Sequence, residues 1–235
     1  QKKEKGMLPK NPALIKTIVS SNMTDRICEY YGVELFLALT GFKNIAARIR
    51  EFEASNSHTY IMGYEESYGC LIGTHARDKD GLIAVMMLCE IAAYYKNRGL
   101  TLWDVIQKMY EKYGYYKEGQ IAVVLEGADG AAKIQEMMKN MRNNPPEKLG
   151  KYKILKIMDC SLGIEKDIMT GEETKIDLPK SNVLRYTLEN DCWCAVRPSG
   201  TEPKIKFYIG IRGDSLEGAE KDLEDLIEAM REYTK

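Results

Sequence analysis

Apolar and polar positions along the chain change rhythm near its middle. Residues 13–20, ALIKTIVS, form a short apolar run between polar segments, which predicts a buried strand, with a helix following through Asp25 to Tyr31. A second strand is expected from Val33 to Leu39, a second helix from TGFKNIAARI, and a third strand from Thr59 to Met62. Leu82, Val85, Met86, Cys89 and Ala93 recur at helical spacing and place a longer helix from near Asp80 to Lys96. Thr101 with Asp104 three residues on reads as the cap of a further helix ending near Tyr113. Strands alternating with helices imply a parallel sheet with ligands at the carboxyl ends of its strands.

The stretch KYGYYKEGQ interrupts this pattern and sets an expected domain boundary at Gly114. Beyond it come a strand from Ile121 to Leu125 and a helix whose Ile134, Met137, Met138 and Met141 form an apolar stripe suited to core packing. After the breaker NNPPEKLG, strands are expected at Tyr152 to Met158, Val183 to Leu188, Cys192 to Arg197 and Ile205 to Ile211. A terminal amphipathic helix carries Leu216, Ala219, Leu223, Leu226, Ile227 and Met230, with Asp214 as its expected cap and Glu217 three residues on. The expected fold class is therefore α/β. A parallel, mixed α/β domain over residues 1–114 precedes an α+β domain over 115–235, whose mainly antiparallel sheet is flanked by helices.

Composition narrows the function classes. At 235 residues, 44% hydrophobic and 29% charged, the chain is long enough for one large or two small cores. A net charge of −1 gives no general attraction to nucleic acid or an anionic membrane, so anion recognition has to be local. No apolar run reaches membrane-span length, and QKKEKGMLPK at the start lacks the apolar region of a signal peptide, so a cytoplasmic location is expected. The six cysteines contain no C-x-x-C pair and, with only His58 and His75 beside them, form no zinc pattern; they read as reduced and structural.

Three segments carry candidate chemistry. RPSGTEPK, Arg197 to Lys204, lies between two expected strands. Arg197 and Lys204 supply fixed positive charge, Ser199 and Thr201 hydroxyl donors, and Gly200 close backbone approach, which together suit a phosphate. GYEESYG, Gly63 to Gly69, offers Glu65 as an acceptor for two hydroxyls and Ser67 as donor or acceptor, which suits a sugar ring. HARDKDG, His75 to Gly81, places Arg77 and Lys79 just before a helix whose positive N-terminus favours anions. Each segment alone has an ordinary reading as a turn or a solvated charged loop.

In this order and spacing the three segments resemble the motifs of the alpha-D-phosphohexomutases, the phosphoglucomutase and phosphomannomutase family, over essentially the whole chain. The resemblance implies that residues 1–114 are a trimmed third domain for sugar recognition and 115–235 the phosphate-binding last domain. It also implies that Glu65, Ser67, Lys79, Arg77 and Lys43 meet the sugar while Arg197, Ser199, Gly200, Thr201 and Lys204 hold the phosphate. His75 is left open between loop residue and ligand. HARDKDG resembles the phosphoglucomutase branch, so a glucose phosphate is favoured; the ESYG form with Tyr68 also resembles mutases that prefer pentoses.

The family mechanism implied by the resemblance passes a phosphoryl group from a phosphoserine to a hexose 1- or 6-phosphate, and back from a bisphosphate intermediate. It needs a Ser-His-Asn segment and an aspartate cluster for Mg2+, and neither pattern occurs in these residues. No catalytic residue and no metal ligand is therefore expected in this chain. Mg2+ and a glucose 1,6-bisphosphate-type activator are expected to belong to the full-length enzyme. The expected partners are a sugar phosphate and the missing N-terminal domains, with the chain, which begins at Gln1, as the C-terminal half. A freestanding phosphosugar-binding module and an interaction domain with a coincidental anion loop are the competing classes.

Overall fold

In the computed structural model, which describes residues 3–125, 129–200 and 202–234, the chain divides after Gly114 into two units. The first runs β1 (Pro12–Thr17), α1 (Met23–Tyr31), β2 (Glu34–Ala38), α2 (Phe42–Ser55), β3 (Thr59–Tyr64), β4 (Cys70–Ile72), α3 (Gly81–Lys96) and α4 (Leu102–Tyr113). Its sheet order is β2-β1-β3-β4, with β1 parallel to both neighbours and β4 antiparallel to β3. Ala13, Ile15 and Thr17 alternate onto one face of β1 and are fully buried. Phe42, Ile45, Ile49 and Phe52 of α2 join Ala13 and Ile15 in the core there. Each such isoleucine or phenylalanine contributes about 1.5–3 kcal/mol on burial.

The second unit contains β5 (Tyr115–Val124), α5 (Gly130–Asn143), β6 (Lys148–Leu149), β7 (Tyr152–Asp159), β8 (Ile164–Asp167), β9 (Glu173–Lys175), β10 (Leu184–Leu188), β11 (Trp193–Pro198), β12 (Lys204–Gly213) and α6 (Leu216–Arg231). The strands pair antiparallel in the order β5-β12-β11-β10-β7-β8-β9, with β6 beside β7. Tyr186, Phe207, Met138 and Leu226 sit in one core that joins this sheet to α5 and α6. The α/β class with a parallel-containing sheet followed by a mainly antiparallel one is thus the observed architecture.

Several local expectations change. KYGYYKEGQ is no break after Tyr115: it opens the ten-residue strand β5, because Tyr115 and Tyr116 are strand formers and Gly119 makes room for α6. A Cβ at Gly119 would lie 3.1 Å from Ile227 Cδ1. The short, polar β8 and β9 and the three-residue β4 carry too little apolar alternation to be read from sequence. β1 stops at Thr17 because residues 18–22 turn, with Ser20 N–H donating to the Thr17 carbonyl. Ser215, and not Asp214, caps α6, its hydroxyl accepting from Gly218 N–H at 3.0 Å. The apolar positions of α3 meet no core: Leu82 is 84% exposed, and no residue of α3 or α4 is buried. All six cysteines are free; Cys89 is exposed, while burial pushes the thiols of Cys28 and Cys160 up to about 11.

Candidate functional site

In the first unit, the parallel strand β3 ends at Tyr64 and the chain returns through β4, so GYEESYG is a hairpin loop at a carboxyl strand end. Glu65 N–H donates to the Gly69 carbonyl at 2.9 Å and closes the loop. Between them Tyr68 adopts a left-handed backbone, φ 64°, and stands fully exposed at the tip. Left-handed geometry is uncommon for an aromatic residue. Gly69 leaves no room for a side chain: a Cβ would come within 2.6 Å of Lys79 Cδ and 2.9 Å of Glu65 Oε1.

Glu65 is 7% exposed, and its Oε1 lies 3.7 Å from Lys79 Nζ. Lys79 also bonds Asp78 Oδ1 at 3.3 Å, which raises the lysine pKa; Asp78 is lowered first by the Lys79 backbone N–H that donates to it at 2.8 Å and then by the ammonium. The ammonium of Lys79 stands 6.0 Å from the Phe42 ring, at the start of α2, where Lys43 is the next, exposed residue. Glu65, Lys79 and the N-terminus of α2 therefore come together, and Ser67 is exposed two residues beyond Glu65. Arg77 is placed differently. Its guanidinium grips both Glu53 carboxylate oxygens at 2.7 Å and donates to the Thr74 carbonyl, so it braces the basic segment against α2. His75 Nε2 lies 2.8 Å from Asp80 Oδ2, while Asp80 Oδ1 caps α3 by accepting from Leu82 and Ile83 N–H. The His75 hydrogen bond, then those two backbone donors, hold the Asp80 carboxyl below the usual range.

In the second unit, RPSGTEPK spans the turn between β11 and β12, and Arg197 pairs with Lys206 across the ladder. Ser199 N–H donates to the Lys204 carbonyl at 2.7 Å, and Glu202 N–H to Ser199 Oγ at 3.3 Å. Among the described residues neither the Arg197 guanidinium nor the Lys204 ammonium has a protein partner. A Cβ at Gly200 would meet nothing within 4 Å, so the space over that residue is open. Thr201 lies outside the described residues. Two half-buried, uncommitted cations flanking an open turn suit an anion such as phosphate.

Residues 1–113 match the model of phosphoglucomutase/phosphomannomutase alpha/beta/alpha domain III. The phosphoglucomutase of Staphylococcus saprophyticus is 35% identical over 204 residues, covering 87% of this chain and 37% of that protein. That of Staphylococcus aureus strain MRSA252 is 37% identical over 199 residues, covering 85% and 36%. The chain belongs to the alpha-D-phosphohexomutase family.

Solved structures agree on the phosphohexomutase fold. The open form of pp63/parafusin, a phosphoglucomutase from Paramecium, superposes with TM-score 0.59 at 18% identity over 93% of this chain and 37% of that one. A phosphoglucomutase/phosphomannomutase family protein from Burkholderia thailandensis gives 0.54 at 14%, over 95% and 38%. The chain spans less than half the length of these relatives.

One polar group at this end of the sheet was not singled out from sequence. Lys16, Thr17, Ser20 and Asn22 are all buried at the carboxyl end of β1 or in the turn after it. Lys16 Nζ donates to the Ser21 carbonyl at 2.9 Å, to Asn22 Oδ1 at 3.3 Å and to Asp25 Oδ2. A lysine inside the apolar run ALIKTIVS was the available signal, since a buried ammonium has to be surrounded by acceptors.

Proposed function

We propose that the chain is the C-terminal, substrate-binding part of a phosphohexomutase that interconverts hexose 1-phosphate and 6-phosphate, with glucose as the sugar. The observation that carries this reading is the nearly buried Glu65 carboxylate held beside Lys79 at a carboxyl strand end. An ionised carboxylate accepts two ring hydroxyls, and an ammonium donates to a third or to a phosphate oxygen. Ser67 and Lys43 extend the donors available to the ring, and Arg77 keeps the basic segment in place. The open β11–β12 turn takes the phosphate that is not reacting. Arg197 clasps it with two parallel hydrogen bonds, and Lys204 and Ser199 add to the grip. Glucose is preferred over a pentose because the curated relatives at 35% identity are phosphoglucomutases.

These residues bind and orient; they do not attack. Among the described residues no group of three or more His, Cys, Asp or Glu side chains is arranged to hold a metal ion. On this reading the phosphoserine, the Mg2+ ion and the bisphosphate activator belong to the parent enzyme. No helix among the described residues is long and apolar enough to cross a membrane.

A titration of the isotope-labelled chain with glucose 6-phosphate tests the reading. Amide shifts are expected at residues 65–69 and again at 197–204, with inorganic phosphate reproducing only the second set. Shifts confined to other surfaces, or none at millimolar sugar phosphate, overturn it. Assayed alone with glucose 1-phosphate, Mg2+ and the bisphosphate, the chain is expected to show no turnover, since no Ser-His-Asn segment occurs in it to carry the phosphoryl group.

A further inference from the structure

The loop that carries Glu65 is held at a second point. Glu66 Oε2 lies 2.9 Å from Thr17 Oγ1, and Thr17 Oγ1 lies 2.8 Å from Ser20 Oγ. Thr17 and Ser20 are both buried, at 0% and 3% exposure, so their hydroxyls need protein partners. The direction of this chain of hydrogen bonds follows from charge. An ionised carboxylate can only accept, so Thr17 gives its one proton to Glu66 and must accept from Ser20. The turn that supplies Ser20 is itself closed by Ser20 N–H donating to the Thr17 carbonyl at 3.0 Å.

We propose that Glu66 is a positioning residue: through the Thr17 hydroxyl it ties the 65–69 loop to the carboxyl end of β1 and so fixes where Glu65 and Ser67 meet the sugar. This inference rests on the reading of that loop as the ring-recognition element. Two clamps act on five residues, the backbone bond from Glu65 to Gly69 and the side-chain bond from Thr17 to Glu66. The first closes the loop on itself; the second adds a side-chain tie to β1, beyond the strands β3 and β4 that carry the loop's ends. Glu66 stands between the two proposed ring contacts, so its anchor constrains both.

The test compares glucose 6-phosphate and mannose 6-phosphate binding by the full chain and its variants in a calorimetric titration. Thr17→Val keeps the shape and removes the donor; it is expected to weaken glucose 6-phosphate by about tenfold and to narrow the ratio between the two sugars. Thr17→Ser restores a hydroxyl and is expected to bind within about twofold of the parent. Glu66→Ala, at a position that is only half-buried, gives the same loss as Thr17→Val, and the double variant adds nothing further, as expected for one shared interaction. Glu65→Ala is the control for the underlying reading. If it leaves binding unchanged, the loop does not recognise the ring and both ideas fall. If it weakens binding while Glu66→Ala stays within about twofold, the anchor alone is refuted. Failure of Thr17→Ser to rescue a folded Thr17→Val loss also refutes it, because packing rather than the hydroxyl then matters.

Discussion

In the 65–69 loop the charged groups are already engaged by the protein: Glu65 faces Lys79, Glu66 accepts from Thr17, and Arg77 behind them is clasped by Glu53. In the β11–β12 turn, Arg197 and Lys204 have no partner among the described residues, and the space over Gly200 is open. The difference matches two recognition problems. Hydroxyls on a ring are told apart by direction, so their acceptors have to be oriented beforehand. A phosphate is recognised chiefly by charge, and on the proposed reading Arg197 and Lys204 on a short, ladder-held turn supply it.

The largest effect that separates the two loops is expected at Arg197. In the complete enzyme, Arg197→Ala removes two charge-assisted hydrogen bonds and should raise the apparent KM by about 10- to 100-fold. Arg197→Lys restores only part of this, because a point charge lacks the planar fork. Glu65→Ala should act on selectivity between sugars more than on phosphate affinity. Steady-state kinetics with glucose and mannose phosphates check both, and an Arg197→Ala enzyme within twofold of the parent in kcat and KM would reduce the turn to a mere connection.

A paired glycine substitution gives the next effect. Gly69→Ala drives a methyl into Lys79 Cδ and Glu65 Oε1 and is expected to cost about 1–3 kcal/mol in a denaturant melt. Gly200→Ala meets nothing and should change stability by no more than about 0.5 kcal/mol. Equal costs at both positions would mean that the first loop is no more tightly built than the second.

The β11–β12 turn was legible as a turn between two apolar strands, and its candidate chemistry is contiguous: two cations, a serine and a glycine stand within eight residues. The 65–69 loop, the proposed ring contact, stood out in the sequence only as Glu-x-Ser. Its supports lie far away in the chain, with Thr17 reaching Glu66 over 49 residues and Glu53 reaching Arg77 over 24. No local spacing rule reports such pairs: the first exists only once β1 lies beside β3, the second only once the basic segment packs on α2. The short β4, which makes the 63–69 segment a hairpin, was invisible because three residues carry too little alternation, and the helical spacing of α3 did not say that apolar residues such as Leu82 stand exposed. Periodicity identifies an element and its apolar positions; it does not say what covers them.

Acid should distinguish the loops in a third way. The folded Asp80 carboxyl is lowered by its bonds to His75, Leu82 and Ile83, so the cap it makes is complete above the ordinary aspartate value of about 3.9. It is lost as the pH falls through the lower, folded value. Hydrogen exchange at the Leu82 and Ile83 amides should accelerate in that window, and Asp80→Asn should remove the pH dependence. The amide of Ser199, held by a backbone carbonyl, should show no matching step.

The smallest effect concerns the brace behind Lys79. The Arg77–Glu53 pair is bidentate but roughly half exposed on both sides, so Glu53→Gln is expected to cost no more than about 1 kcal/mol. If Arg77 acts only as a strut, Arg77→Ala and Glu53→Gln lower glucose 6-phosphate affinity equally and slightly, and the double variant is no worse than either. If Arg77 also touches the sugar phosphate, Arg77→Ala weakens binding while Glu53→Gln, which frees the guanidinium, does not. The second outcome would make the first loop resemble the turn at Arg197 as proposed, with a cation acting directly on the ligand, and would erase the contrast between them.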